Sequence, residues 1–148
     1  MTAGEQIRPV QPDPASYGVD DLAGWLRRAA QVDASPGGLA AVEFLCRSRT
    51  WLTREDWRRL CITVAGDGDT REAWILWGLW GGALESGALH HGDSARTVFE
   101  VARWLREDPF QLARLDLPNT RALLAAVAVA CGWDEDAVGG VRWSMLGF

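Results

Sequence analysis

The chain has 148 residues, of which 48% are hydrophobic and 24% are charged, and its formal net charge is −5. These proportions predict one folded domain with a hydrophobic core, because a chain of this length hides roughly 70% of its unfolded surface. The acidic balance argues against nonspecific binding to nucleic acid or to anionic membranes.

The first part of the chain predicts a polar lead-in followed by two helices. Residues 1–17 contain three prolines and are predicted to be a flexible lead-in, so the single helical domain is expected to cover residues 18–148. Apolar side chains spaced three and four residues apart predict a first helix over 20–31. Ser35, an N-cap residue followed by a proline, predicts a second helix over 36–47.

The middle of the chain predicts a short helix and then a hairpin. Residues from Thr53 onward resemble a capping box that opens a helix ending near Leu60. Two β-prone runs flank a turn rich in Gly and Asp, so residues 61–77 are predicted to form a β-hairpin that leads into a helix over 78–86. The alternative is a single helix over 70–86, which its glycines would weaken by about 1 kcal/mol each relative to alanine.

The last part of the chain predicts two more helices. A helix over 94–107 has apolar side chains on one face and alternating charges on the other. Residues 118–131 are predicted to form a helix that is apolar all round, which predicts a central position among the other helices. The predicted fold is therefore mainly α (α+β): four to six helices arranged around the 118–131 helix, with one small β-hairpin near 61–77.

From Leu39 to Gly132 the order of features resembles that of short actinobacterial proteins of uncharacterised function. The resembling elements are Trp51-Leu52, the Asp67-Gly68 turn, Ala73-Trp74-Ile75-x-Trp77, Ala83-Leu84-x-x-Gly87, Ser94 and Leu115-Asp116-x-x-Asn119. In these proteins the Trp-Ile-x-Trp run looks like a strand leading into a helix, which favours the hairpin. The resemblance implies no activity.

An arginine-rich segment over residues 47–59 is one candidate binding surface. Its arginines are Arg47, Arg49, Arg54, Arg58 and Arg59, and they are interleaved with Trp51 and Trp57. Guanidinium groups could hold phosphates while an indole stacks on a base, which is the chemistry of a nucleic-acid interface. The same residues could instead contact a protein partner, or form a solvated helix face with ion pairs and cation–π contacts.

A second candidate surface lies at the predicted junction of hairpin and helix. Trp74, Trp77 and Trp80 could form a hydrophobic recognition patch, since tryptophan dominates interface hot spots, or a core against the neighbouring glycines. In a strand, Trp74 and Trp77 would point to opposite faces, so that one could be buried and the other presented. The two surfaces together supply the predicted partner-binding residues, which are Trp51, Arg54, Trp57, Arg58, Trp77 and Trp80.

The cysteines and histidines predict neither a catalytic nor a metal site. Cys46, Cys61 and Cys131 are widely spaced among apolar neighbours, so they are predicted to be buried thiols in a reducing compartment. His90 and His91 are adjacent, and adjacent loop side chains seldom converge on one ion. The common nucleophile, phosphate-loop and dinucleotide motifs do not occur in the sequence. We therefore expect no catalytic residues, no metal and no cofactor.

The combined prediction is a non-catalytic, cytoplasmic protein-interaction module that binds a protein partner through exposed Trp and Arg side chains. Its role is predicted to be regulatory, adaptor or immunity-like, and homodimerisation through the Trp-rich patch is compatible with it. The longest apolar run, Ala122–Cys131, is about half the length of a membrane span, so no membrane segment is expected. The alternative is a nucleic-acid-binding protein that uses residues 47–59. The third possibility is a small-ligand binder or enzyme with a pocket built from distant residues.

Overall fold

The computed structural model describes residues 12–107 and 115–130 of the chain. These residues fall in two compact units, one ending at Pro109 and the other beginning at Phe110, and each is described by itself. The elements of the first unit are, in order, α1 (Val19–Asp33), α2 (Pro36–Ser48), α3 (Glu55–Cys61), β1 (Ile62–Ala65), β2 (Glu72–Ile75), α4 (Trp77–Ser86) and α5 (Asp93–Glu107). The second unit contributes α6 (Leu117–Ala130).

The prediction of a mainly α fold with a small β-hairpin is confirmed. The described residues contain six α-helices and a two-stranded antiparallel sheet, and the predicted helix ends lie within two residues of the observed ones. The alternative of one helix over 70–86 is wrong, because Glu72–Ile75 form a strand that pairs with Ile62–Ala65. A single domain over 18–148 with the 118–131 helix at its centre stays a prediction, since α6 belongs to the second unit.

Local signals set the starts of the early helices. The Ser35 hydroxyl oxygen accepts a hydrogen bond from the Gly38 N–H at 3.3 Å, and a proline occupies the first position of α2, as predicted. The capping box at Thr53 does not form. Instead α3 begins after Arg54, and the Thr53 hydroxyl donates to the Arg49 carbonyl at 3.0 Å, because carbonyls at a helix end have no partner within the helix.

The hairpin depends on a glycine in its turn. β1 and β2 pair in antiparallel register, with Ile62 opposite Ile75. Gly66 follows β1 with a φ of +81°, and a Cβ placed there would lie 2.7 Å from the Thr70 carbonyl oxygen. Glycine is therefore required at this position both by the backbone angle and by the space available.

A shared hydrophobic core holds the first unit together. α2 packs on α1 and on α5, and α1 packs on β2. The largest fully buried side chains are Trp51, Trp57, Trp80, Leu22, Leu26, Leu45, Leu52 and Leu89. These residues come from the helices and from the loops between them, so burial of their apolar surface ties distant parts of the chain to one another.

The last part of the predicted lead-in is attached to this core. Pro14–Ser16 form a 3-10 turn. The Asp13 carboxylate pairs with Arg59 at 2.9 Å, and the Tyr17 ring meets the Trp25 ring edge-on at a centroid distance of 4.9 Å. The described part of the predicted lead-in is therefore held against α1 and α3.

Candidate functional site

Three of the predicted partner-binding tryptophans lie in the core. Trp51, Trp57 and Trp80 each have 0% of their surface exposed, so their predicted role as exposed partner-binding residues is wrong. For Trp80 the alternative of a core position is the one observed. The Trp80 centroid lies 5.3 Å from that of Trp51, 5.1 Å from that of Trp57 and 4.7 Å from that of Phe99. Mutual burial of tilted rings removes more apolar surface from water than any exposed arrangement. These four rings and Trp77 are called the aromatic cluster below.

Two of the predicted site arginines, Arg54 and Arg58, bind to other groups of the same chain. Arg58 is 6% exposed and its Nη1 donates to the Tyr17 carbonyl at 2.9 Å, so its predicted place on the surface is wrong. Burial is possible because the stem of an arginine is apolar and its fork can donate to carbonyls. Arg54 pairs with Asp56 at 2.6 Å, and its guanidinium carbon lies 4.6 Å from the centroid of the Trp51 ring. Both side chains therefore hold α3 in place.

The other arginines of the 47–59 segment also have acidic partners. The pairs are Arg47–Glu43 at 2.7 Å, Arg49–Asp20 at 3.1 Å and Arg59–Asp13 at 2.9 Å. A nucleic-acid interface needs arginines that are free to meet phosphates. These arginines already pair with carboxylates of the same chain, which take the position that a phosphate would occupy. The geometry therefore does not favour the nucleic-acid alternative.

Pairing and burial shift the pKa values of several groups. The hydrogen bond from Arg27 is the main cause that lowers the pKa of the Glu43 carboxyl below its ordinary value. The hydrogen bond from Arg54 lowers the pKa of Asp56 in the same way. In the opposite direction, burial raises the pKa of the Cys61 thiol to about 12. The carboxylates therefore stay ionised at neutral pH, and the thiol stays protonated.

Trp77 differs from the other members of the aromatic cluster because part of it remains exposed. It is the first residue of α4, its ring centroid lies 5.5 Å from that of Trp80, and the Arg106 guanidinium carbon lies 5.3 Å from its ring centroid. Trp74 and Trp77 do not lie in one strand, so the alternation expected of a strand does not apply to them. β2 ends at Ile75, Trp77 begins α4, and both residues line the same cleft.

Trp77 borders two clefts in the first unit. The larger has a volume of about 530 Å³ and lies among β2, the end of α1, the start of α2 and the last turn of α5; it is called the Trp77 cleft below. Its lining includes Asp33, Ala73, Trp74, Ile75, Trp77 and Arg106. The smaller cleft, about 470 Å³, lies between α4 and α5 and shares Trp77 and Arg106. Both volumes fall in the range of roughly 300–1,000 Å³ that is typical of ligand sites.

Glycines form the α4 wall of the smaller cleft. Gly78, Gly81 and Gly82 line it, and a Cβ at Gly78 or Gly82 would meet no atom within 4 Å. The packing of the first unit therefore does not require glycine at those two positions, although glycine inside a helix costs roughly 1 kcal/mol relative to alanine. Their lack of side chains leaves the α4 backbone open to a contacting group.

The histidines and cysteines do not form a metal centre in the part of the chain that the structure describes. His90 is exposed, His91 is partly exposed, and no group of three His, Cys, Asp or Glu residues there could hold an ion. Cys46 and Cys61 are free and buried, as predicted, while Cys131 lies outside the described residues. None of the described helices is long and apolar enough to cross a bilayer.

Asp33 and Arg106, which line the Trp77 cleft, are missing from the sequence-predicted site, and Trp74 was named there only as part of the patch at the predicted junction of hairpin and helix. Asp33 is the last residue of α1, Trp74 lies in β2 and Arg106 lies in the last turn of α5. They meet only in the folded chain, so no local spacing connects them. The usable signal was the run from Ala73 to Trp77, which places two tryptophans around the end of a strand.

Comparisons with known proteins do not assign the chain to a family. It matches no protein-family model, no curated protein and no solved structure. The resemblance to short actinobacterial proteins therefore stays a prediction, and function is inferred from the Trp77 cleft.

Proposed function

We propose that this chain is a non-catalytic protein-binding domain whose contact surface is the Trp77 cleft. The observation that carries the proposal is the position of Trp77, which is backed by Trp80, lies beside Arg106 and borders two clefts. Tryptophan and arginine are the side chains most enriched at binding hot spots. A ring already held by its neighbours also loses little conformational freedom when a partner binds.

The other candidate functions receive less support from the same structure. The arginines of segment 47–59 are paired with carboxylates or bonded to carbonyls, which is the pattern of a structural role. Cys61, a potential nucleophile, is fully buried and burial raises its pKa to about 12. A catalytic thiol needs the opposite environment, with exposure and a lowered pKa.

A cytoplasmic location is part of the proposal. Cys46 and Cys61 are free thiols, and free thiols are typical of proteins in reducing compartments. A regulatory, adaptor or immunity-like role is consistent with a small binding domain of this kind.

Affinity purification from the native cell tests the proposal. The tagged chain is compared with Trp77→Ala and Trp74→Ala by mass spectrometry of the captured proteins. Trp104→Ala is the matched control, because Trp104 is 48% exposed and lines neither cleft. We expect the unaltered chain and the control to capture the same partner proteins and the two cleft variants to lose them. Circular dichroism and thermal unfolding establish that each variant is folded.

Two outcomes contradict the proposal. One is capture of the same proteins by Trp77→Ala at the level of the unaltered chain. The other is a partner set that disappears on nuclease treatment, which indicates a nucleic-acid partner instead. If Trp77→Ala does not fold, Arg106→Ala changes the same surface from α5 and leaves the aromatic cluster intact.

A further inference from the structure

Helix α4 exposes an apolar side. It has ten residues, and Glu85 is the one charged residue among them. A helix that is apolar nearly all round is normally buried in a core or in an interface. In α4 only three residues are buried, whereas Gly78, Leu79 and Gly82 are exposed, Leu79 to the extent of 53%. The exposed side of this helix therefore has the composition of a contact surface.

This exposed side forms one wall of the smaller cleft. Gly78, Gly81, Gly82 and Glu85 line the cleft, and their spacing of three and four residues places them on one stripe of the helix. Leu79 lies beside that stripe, one turn before Gly82. The stripe and Leu79 are together called the α4 face below. Three glycines leave its backbone accessible, and α5 supplies the opposite wall, so the cleft is a groove that a second helix can enter.

The unpaired charges of the smaller cleft lie at opposite ends of the α4 face. Four charged side chains line the cleft, and two of them, Arg103 and Glu107, pair with each other at 3.8 Å. The other two, Arg106 and Glu85, have no ion-pair partner among the residues that the structure describes. Arg106 stacks on Trp77, the first residue of α4. Glu85 comes eight residues after Trp77, which is about 12 Å along the helix axis.

Both of these charges have the sign that α4 itself disfavours. The start of a helix carries partial positive charge and its end carries partial negative charge. α4 has no acidic residue in its first turn, no basic residue in its last turn and no side-chain cap at its start. Arg106 lies in the last turn of α5, where a cation is favourable, but it adds positive charge to the start of α4. A complementary surface therefore brings a carboxylate to Arg106 and a cation to Glu85.

We propose that the α4 face is the interface of a homodimer, in which α4 packs antiparallel to α4 of a second copy. Contacts across a two-fold axis are reciprocal, so Arg106 of each copy meets Glu85 of the other and the helix dipoles run in opposite directions. Gly81 lies midway between Trp77 and Glu85, so the two backbones approach closely where the helices cross. A different partner must supply both charges at this spacing, whereas a second copy already carries them.

The proposed dimer is weak and goes beyond the proposed function. A helix of ten residues is only about 15 Å long, so the contact area belongs to the class of small, reversible interfaces. Gly82 and Glu85 do not line the Trp77 cleft. Dimerisation can therefore be tested separately from binding at that cleft.

Sedimentation velocity of the full chain measures the dimer. We expect the unaltered chain to pass from monomer to dimer between about 10 µM and about 1 mM, the range of a small interface. Gly82→Arg should weaken the dimer at least about a hundredfold, because it places two like charges where the helices cross. A Cβ at Gly82 meets no atom within 4 Å, so this variant is expected to fold, which circular dichroism verifies. Gly24→Arg is the matched control, since Gly24 is an exposed glycine of α1 with the same open space, and it should dimerise like the unaltered chain.

Two charge variants test the antiparallel arrangement. Glu85→Arg makes both ends of the α4 face positive, and Arg106→Glu makes both ends negative. Each variant alone should dimerise about tenfold more weakly, because like charges then meet across the interface. An equimolar mixture of the two should form a heterodimer that restores the affinity of the unaltered chain. Native mass spectrometry detects it, because the two chains differ in mass.

The outcomes separate this inference from the proposed function. A chain that is monomeric throughout the concentration range overturns the homodimer, and so does a dimer that Gly82→Arg leaves unchanged. A mixture of the two charge variants that is no more dimeric than either variant alone also overturns it. Partner capture that depends on Trp77 and persists in Gly82→Arg supports the proposed function, whichever way the dimer test falls. Capture that does not depend on Trp77 overturns the proposed function and leaves the homodimer to be decided by sedimentation alone.

Discussion

The indole nitrogen of Trp51 donates a hydrogen bond of 2.8 Å to the backbone carbonyl of Ala95. The bond joins the segment between α2 and α3 to the first turn of α5. Trp80 is equally buried, yet its indole nitrogen has no acceptor among the described residues. The aromatic cluster therefore contains one satisfied buried indole, that of Trp51, and two that lack an acceptor among the described residues, those of Trp57 and Trp80.

This difference predicts unequal effects of the same substitution. Trp51→Phe removes a made hydrogen bond, whereas Trp80→Phe removes a buried donor that lacks a partner. We expect Trp51→Phe to lower the free energy of unfolding by about 1–2 kcal/mol more than Trp80→Phe does. Urea unfolding followed by circular dichroism measures both values, and an equal or larger loss in Trp80→Phe would show that the bond to Ala95 contributes nothing.

Glu43 predicts a dependence of stability on acid pH. Its pKa is lowered chiefly by the hydrogen bond from Arg27, so its contribution is fully present above the unfolded pKa near 4.5. That contribution is lost as the pH falls through the folded pKa. Glu43→Gln should therefore lower the melting temperature slightly at neutral pH, and the difference from the unaltered chain should shrink in acid.

The size of this effect is small because both side chains are about two-fifths exposed: 41% for Arg27 and 40% for Glu43. Solvent screening limits the pair to a few tenths of a kcal/mol. Arg27→Gln is the control, since it removes the partner and leaves the carboxyl in place. Arg27→Gln should lose most of the pH-dependent increment, and the remainder should persist because Arg47 still pairs with Glu43 at 2.7 Å. The double variant should lose no more than Glu43→Gln alone. A difference between Glu43→Gln and the unaltered chain that is constant from neutral to acid pH would contradict this assignment.

The end of α1 predicts a stabilising substitution. Ala34 has a φ of 51°, in the left-handed region where side chains other than glycine are strained. Ala34→Gly should raise the free energy of unfolding by about 0.5–1 kcal/mol. Ala40→Gly, in the interior of α2, should lower it by a similar amount, because glycine weakens a helix interior. Chemical unfolding of both variants tests the pair, and the same sign for both would refute the role of the backbone angle.

The buried thiols predict resistance to modification. Burial raises the pKa of Cys61 to about 12, and burial also raises the pKa of Cys46. In a Cys131→Ser background, neither thiol should react with a disulfide reagent at mildly alkaline pH until the chain unfolds. Mass spectrometry of the chain treated with the reagent, with and without denaturant, counts the modified cysteines and tests this resistance. Rapid reaction of Cys61 in the folded chain would falsify the assigned burial.

Features with local causes could be predicted from the sequence. The start of α2 depends on Ser35 and the proline after it, and the turn between β1 and β2 depends on Gly66 and its acidic neighbours. Both signals lie within a few residues of the structure they specify. The glycines of α4 correctly favoured a hairpin followed by a short helix over a single helix covering residues 70–86. Each glycine destabilises a helix because its backbone loses more conformational entropy than that of other residues.

The candidate site could not be predicted in the same way. Trp51 precedes α3 and lies outside any periodic stripe, so its burial depends on α4 and α5 closing over it. The pairing of Arg58 with the Tyr17 carbonyl likewise joins residues 41 positions apart. A count of tryptophans and arginines indicates that side chains suited to binding are present. It does not indicate which of these side chains are buried in the core.

The sequence by itself determined a mainly helical chain with one hairpin, because helix periodicity, caps and turn residues act over short distances. The tertiary structure decided which indoles are buried, which arginines are neutralised, and where the cleft lies. The physical reason is that burial and ion pairing depend on neighbours brought together by packing. Trp77 remains partly exposed because α4 begins there, at the cleft that Trp77 itself lines.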